Sequence, residues 1–107
     1  MSSKIVVPGA FHCYLDGTGA VQGDIYSRDP EIERGAQELR DAYRNARRVR
    51  RGYGYSLRLD LPSPEAVQVL REYAESCVES ILFGDPDAAE LRAARAVITR
   101  CEQALVS

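Results

Sequence analysis

A run of arginines in the middle of the chain is the group of residues best suited to chemistry. Between residues 44 and 58 the sequence reads RNARRVRRGYGYSLR, which combines six arginines with two tyrosines. Guanidinium groups donate hydrogen bonds to phosphates, and tyrosine rings stack on unpaired bases. The candidate residues for binding a nucleic acid or another anionic partner are therefore Arg44, Arg47, Arg48, Arg50, Arg51, Tyr53, Tyr55 and Arg58.

The same arginines also have a structural interpretation that needs no ligand. Apolar periodicity predicts a helix that begins near Asp29 and ends near Arg51, just before Gly52. Its last turns would hold most of the arginine run, where positive charge compensates the helix dipole. Acidic residues one turn earlier, such as Asp41, would pair with these arginines. The run is therefore either a binding site or a solvated helix end.

No set of residues in the sequence has the spacing of a catalytic or metal-binding site. The cysteines Cys13, Cys77 and Cys101 are odd in number and form no CxxC pair. His12 is the only histidine, and on a strand its neighbour Cys13 would point to the opposite face. The carboxylates are scattered over polar helix faces instead of being paired in an apolar setting. We therefore predict no catalytic residues, no metal and no cofactor, and we favour a protein without enzymatic activity.

The elements that must position the arginine run begin at the N-terminus. Residues 5–7 form a short β-branched run, and residues 10–26 alternate in polarity around the turn signal at Asp16–Gly19. These patterns predict a β-hairpin over residues 10–26. The segment from Gly17 to Gly23 has the composition of a phosphate-binding loop, but no helix follows it, so we interpret it as the hairpin turn.

A strand that leads directly into a long helix forms the centre of the predicted fold. Over residues 55–61 apolar side chains alternate with polar ones, which is the period of a half-buried strand. Ser63 is a good N-cap and Pro64 suits the first helical position, so a helix is predicted to begin here. A short link around Gly84 predicts that this helix and the next form an antiparallel hairpin.

Together these patterns predict a single small α+β domain over residues 1–107. A short antiparallel β-sheet, made of the N-terminal hairpin and the strand at residues 55–61, would be covered by three helices. The predicted order is ββαβαα, which ends in the helical hairpin. The strand at residues 55–61 can pair either within the chain or across a dimer, and the pattern does not choose between these arrangements.

The strand and two helices at residues 55–105 resemble the ribbon-helix-helix repressors. The resemblance implies that the strand pairs with the same strand of a dimer mate, and that Ser56, Arg58 and Asp60 face DNA. The sequence departs from the pattern of that family because a hairpin and a helix precede the strand, and because the first of the two helices is long. The resemblance therefore supports a DNA-binding alternative and no family assignment.

The C-terminal part, residues 70–105, resembles the helical hairpins of small proteins from actinobacterial phages and mobile elements. The shared features are arginine- and alanine-rich helices and a short Gly-Asp-Pro link, without a diagnostic motif. This resemblance implies an origin in a phage or mobile element. Host takeover or interference with host defence would be a natural role in that setting.

Composition excludes some functional classes and favours others. The chain has 107 residues, of which 45% are hydrophobic and 28% charged, and its formal net charge is −2. That charge argues against a generic nucleic-acid binder, and neither a signal peptide nor a membrane span is predicted.

We expect a cytoplasmic, non-catalytic module that acts by protein–protein contact, as a homodimer, away from membranes. The alternative is a nucleic-acid-binding regulator that uses residues 44–58. Aromatic anchors for a protein interface are Tyr14, Tyr26, Tyr53, Tyr55 and Phe83.

Overall fold

Three strands and three helices make up the described part of the chain. The structure, a computed structural model, describes residues 3–8, 11, 29–51, 54–82 and 89–106. Within these ranges the elements are β1 (Ser3–Pro8), α1 (Pro30–Arg44), β2 (Arg47–Arg51), β3 (Gly54–Leu61), α2 (Pro64–Leu82) and α3 (Ala89–Val106). The strands form one antiparallel sheet in the order β1-β3-β2. The predicted α+β class, with an antiparallel sheet and three helices, is confirmed.

The N-terminal hairpin predicted over residues 10–26 lies outside the described residues, apart from Phe11. The backbone of Phe11 is helical, and its side chain is fully buried. Its ring meets the ring of Tyr73 edge-on, with the centroids 6.1 Å apart and the planes at 84°. The described elements follow the order βαββαα, because β2 stands where the sequence predicted the end of a helix.

β3 is the central strand of the sheet. Its residues 56–61 pair with β1, and its residues 54–58 pair with β2. Both sides of β3 are therefore engaged within the chain. The structure therefore does not form the ribbon that ribbon-helix-helix repressors make between two copies of this strand, because β1 and β2 occupy both edges of β3 except at residues 59–61 on the β2 side and residues 54–55 on the β1 side.

The two faces of β3 have opposite character, as the period-2 pattern predicted. Arg58 and Asp60 are exposed, whereas the leucines between and beside them lie under the helices. The buried residues of the central and first strands are Ile5, Val7, Leu57, Leu59 and Leu61. They join the apolar sides of the three helices in one hydrophobic core.

α1 begins as predicted and ends seven residues before the predicted Arg51. Asp29 caps its first turn by accepting a hydrogen bond from the Glu31 N–H at 2.9 Å. At the other end, the backbone N–H and the side-chain Nδ2 of Asn45 both donate to the Asp41 carbonyl, each at 3.0 Å. The Asn45 N–H thus makes an i→i−4 bond to Asp41, its side chain adds a second bond to the same carbonyl, and the helix ends at Arg44 with Asn45 as its C-cap.

α1 and α2 approach each other closely at Gly35. A Cβ atom at this position would lie 2.8 Å from both the carbonyl carbon and the carbonyl oxygen of Glu65. Ser63 adds a polar link at the same contact, since its Oγ accepts from the Ala66 N–H at 3.3 Å and donates to Glu38 Oε2. Ser63 is thus the predicted N-cap of α2, and it also joins α2 to α1.

α3 packs against α2, as predicted, and also against β1. Its Arg100 reaches the sheet, where Nη1 donates a hydrogen bond to the carbonyl oxygen of Val6. The residues that α3 buries are Leu91, Ala93, Ala94, Val97 and Cys101. None of the helices in the described part of the chain combines the length and apolar character needed to cross a membrane.

Candidate functional site

The arginine run forms the edge strand β2 instead of a helix end. The register places Arg47 opposite Arg58 and Arg51 opposite Gly54. Directly opposed positions of neighbouring antiparallel strands belong to the same face of a sheet. Positions 47 and 51 therefore share the sheet face of Arg58, which is exposed. We call β2 and the paired part of β3, residues 47–51 and 54–58, the arginine ribbon.

The arginine ribbon does not gather all of the predicted site residues on one face. Arg48 is paired with Leu57 and Arg50 with Tyr55, and these register positions alternate with those of Arg47 and Arg51. Arg44 is exposed and is the basic residue in the last turn of α1. Tyr53 lies outside the described residues.

The helix-end interpretation of Arg47–Arg51 is wrong. These residues follow the helix and pair with β3, so the dipole of α1 does not account for them. Arg44 is in the last turn of α1, where its positive charge compensates the negative end of the helix dipole. Among the described residues, neither Arg44 nor Arg58 has a carboxylate partner within salt-bridge distance. The ion pair found there joins Arg71 Nε to Glu75 Oε1 at 3.6 Å on the surface of α2.

Charge is strongly segregated along the chain. Residues 42–59 contain six of the fourteen basic residues and none of the sixteen acidic ones. The rest of the chain therefore holds eight basic and sixteen acidic residues, a formal charge of −8. The modest net charge of −2 thus conceals a basic ribbon on an acidic protein.

A cleft of about 290 Å³ opens beside the arginine ribbon. It lies between the second half of α1 and the end of β3, from Arg58 to Pro62 just after the strand. Arg58 belongs to both the ribbon and the cleft. The lining residues are Glu38, Asp41, Ala42, Asn45, Arg58, Asp60 and Pro62. Three carboxylates and one guanidinium group therefore border a space near the lower limit of small-molecule sites.

The carboxylates of the cleft differ in how far they are already engaged. Glu38 Oε2 accepts the hydrogen bond from Ser63, and Asp41 Oδ1 accepts one from Gln37 Nε2 at 3.1 Å. Asp60 has no hydrogen bond or ion pair with another described side chain, and it is exposed. It is therefore the carboxylate with the most accepting capacity to offer a ligand.

The sequence did not reveal this cleft. The alternation of the strand predicts Asp60 on the same face as Arg58, but Glu38, Asp41 and Ala42 come from α1, far from β3 in the chain. No local pattern specifies which side of α1 lies beside that face. The signal that was present is the alternation of β3, which put Arg58 and Asp60 on the exposed side.

Cys101 is buried, and the described acidic side chains are not grouped around a metal site. Among residues 3–8, 11, 29–51, 54–82 and 89–106, no three His, Cys, Asp or Glu side chains are grouped to hold a metal ion. Burial raises the pKa of the Cys101 thiol to about 12, although the nearby charge of Arg71 opposes this. Cys101 is therefore protonated at neutral pH and unsuited to act as a nucleophile. His12 lies outside the described residues.

Comparison with known proteins provides no family, relative or structural neighbour. No family model matches the chain, and no curated protein or solved structure matches it. The functional argument therefore depends on the charge, register and burial described above.

Proposed function

We propose that this protein is a non-catalytic binding module that holds nucleic acid on the exposed face of its arginine ribbon. The observation that carries the proposal is the coincidence of charge and register. The basic segment forms a strand whose positions 47 and 51 share the exposed face with Arg58. In this arrangement the guanidinium groups contact phosphates, which provides affinity without sequence preference.

The net negative charge of the protein does not oppose this proposal strongly. Neighbouring strands are about 4.8 Å apart, so charges on the ribbon act together within the roughly 8 Å over which physiological salt screens charges. The protein measures 36 × 30 × 29 Å along its principal axes, so carboxylates on its far side are several screening lengths away. The far-side carboxylates are therefore screened from a phosphate on the ribbon, which meets the local arginines and, at the Arg58 end, the three carboxylates of the cleft.

The experiment is a salt titration of binding, measured by fluorescence anisotropy with labelled single-stranded and duplex oligonucleotides. We expect affinity to fall steeply between about 50 mM and about 200 mM salt. Arg58→Gln, and separately Arg47→Gln with Arg51→Gln, should reduce the slope of log affinity against log salt by about 0.7 to 0.9 for each phosphate that the variant no longer binds.

The matched control for the salt titration is the double substitution Arg92→Gln with Arg95→Gln. Both residues are exposed on α3, outside the ribbon, so this variant removes two positive charges and leaves those of the ribbon in place. We expect its salt slope to match that of the unmodified protein. Absence of binding at low salt, or an equal reduction in this control, would refute the proposal.

Protein–protein contact, including a homodimer, is the second proposal. The charge segregation supports it, because a basic ribbon and an acidic remainder of the same chain are complementary. Most of the aromatic anchors expected from the sequence lie outside the described residues, so the support is electrostatic. The large apolar side chain that is exposed in the described part, Val106, is not part of an apolar patch there.

The homodimer is tested by light scattering on a size-exclusion column at low and high salt. We expect a dimer at low salt that dissociates as salt rises, and weaker association for Arg58→Glu. A monomer at every salt concentration would contradict this second proposal. The cytoplasmic location and the origin in an actinobacterial phage or mobile element stay predictions from the sequence.

A further inference from the structure

We infer that the cleft beside the arginine ribbon takes one unstacked guanine base of a single-stranded nucleic acid. This inference rests on the proposed nucleic-acid binding and names the form of nucleic acid and the base. Three observations support it. The cleft adjoins the ribbon, it is lined by carboxylates and apolar carbon, and one of its carboxylates has no hydrogen-bond partner among the described residues.

The cleft adjoins the arginine ribbon, but its own lining does not favour a phosphate group. Arg58 is shared by the ribbon and the cleft, so a base that enters the cleft can remain attached to a backbone held on the ribbon. Glu38, Asp41 and Asp60 would repel a second phosphate at this place. The same carboxylates accept hydrogen bonds from a neutral group that presents N–H donors, which is what the edge of a base provides.

The size and the apolar wall of the cleft fit one flat ring. A volume of about 290 Å³ is sufficient for a single inserted base. Ala42 is buried and Pro62 is exposed, and both line the cleft beside the charged groups. A base can therefore contact apolar carbon on one side while its edge meets carboxylate oxygens.

Among the three carboxylates of the cleft, Asp60 is the one whose oxygens are available to accept hydrogen bonds from a ligand. Glu38 already accepts from Ser63, and Asp41 already accepts from Gln37. Asp60 lines the cleft without a hydrogen bond or ion pair to another described residue, and no cluster suited to a metal ion is found among those residues. Its two oxygens can accept two parallel hydrogen bonds.

Guanine is the base that matches such an acceptor. Its Watson–Crick edge presents N1–H and the N2 amino group side by side, which are two adjacent donors. Adenine and cytosine each present one amino group beside an acceptor, and thymine or uracil presents one N–H between two acceptors. In a duplex this edge is already paired, so the inference requires a single strand with a base free to turn outward.

The test uses labelled oligo(dT) strands of one length whose central residue is thymine, guanine, inosine, adenine or cytosine. Inosine keeps N1–H and lacks the N2 amino group, so it isolates one of the two predicted hydrogen bonds. We expect the strand with guanine to bind about tenfold more tightly than each of the others, as a good bidentate contact implies.

The variant Asp60→Asn replaces one carboxylate oxygen with an amino group that faces the donors of guanine. It should abolish the preference for guanine while the other strands bind equally well or more tightly, because a negative charge near the phosphates is removed. Asp29→Asn removes the same charge at the far end of α1, where asparagine also serves as an N-cap, and should retain the preference.

Each outcome of the test has a distinct meaning. Equal binding of all five strands, with the salt slope intact, would refute the guanine site and leave the proposed function standing. Absence of binding by every strand at low salt would refute both. Equal weakening of all strands by Asp60→Asn would also overturn the inference. The loss of a negative charge cannot by itself weaken the binding of phosphates, so this result would show that Asp60 acts through the fold.

Discussion

Neighbouring residues of β3 lie on opposite faces of the sheet and differ in both burial and chemistry. Leu57 and Leu59 are 4% and 0% exposed and belong to the hydrophobic core. Arg58, which lies between them, is exposed, belongs to the arginine ribbon and lines the cleft. One strand therefore supplies the core on one side and the candidate binding surface on the other.

This difference indicates that stability and binding can change independently. Complete burial of a leucine side chain contributes about 1.5 to 3 kcal/mol, whereas an exposed charge contributes about 0 to 1 kcal/mol. Substitutions on the exposed face should therefore alter what the protein binds and leave its free energy of unfolding nearly unchanged. Four predictions test this separation, beginning with the largest expected effect.

The substitution Leu59→Ala should cause the largest decrease in stability. Leu59 is fully buried in the central strand, so truncation removes apolar burial and leaves a cavity. We expect the free energy of unfolding to fall by about 3 kcal/mol, measured by urea denaturation. The adjacent Arg58→Ala is the matched control and should change stability by no more than about 0.5 kcal/mol. Similar decreases in both variants would show that the faces are not energetically distinct.

The substitution Gly35→Ala tests the contact that holds α1 against α2 over the covered face. The new methyl group would lie 2.8 Å from the Glu65 carbonyl, so the helices must move apart. We expect the free energy of unfolding to fall by about 2 kcal/mol, even though alanine favours the helix by about 1 kcal/mol. Gln37→Ala, at an exposed position of the same helix, is the control. An increase in stability for Gly35→Ala would contradict the close approach.

The substitution Ser63→Ala tests the polar link between the same two helices. It removes the cap at Ala66 and leaves Glu38 without its donor, so we expect a decrease in stability of about 1.5 kcal/mol. Asp29→Ala removes the exposed cap of α1 and should cost about 1 kcal/mol or less. Thermal or urea denaturation of both variants gives the comparison. A larger effect at Asp29 would reverse the expected order.

The pH dependence of stability tests the burial of Cys101. Its pKa is raised from 9.0 to about 12 in the folded protein, so between these values the unfolded state releases a proton that the folded state retains. Stability from this group is therefore present below pH 9 and declines as pH rises toward 12. We expect a decrease of about 1 kcal/mol between pH 8 and pH 10 relative to Cys101→Ala. Equal pH profiles for the two proteins would contradict the burial of the thiol.

Local signals explain which elements could be predicted. Pro30 and Pro64 each follow a capping residue, and both helices begin at these prolines. The alternation over β3 predicted its two faces correctly, because a strand with one buried side must repeat every two residues. The close approach at Gly35 was missed, since its backbone distance to Glu65 depends on where another helix lies. Half of the cleft was missed for the same reason.

The amino-acid sequence by itself determined the α+β class, the starts of α1 and α2, and the two faces of β3. Only the tertiary structure decided whether Arg47–Arg51 form a helix or a strand. Arginine is compatible with a helix, and the run has no apolar period that distinguishes helix from strand. The second edge of β3 carries backbone donors and acceptors that require partners, and the chain after Asn45 lies beside it. Long-range pairing therefore made β2 a strand and placed Arg58 in both the ribbon and the cleft.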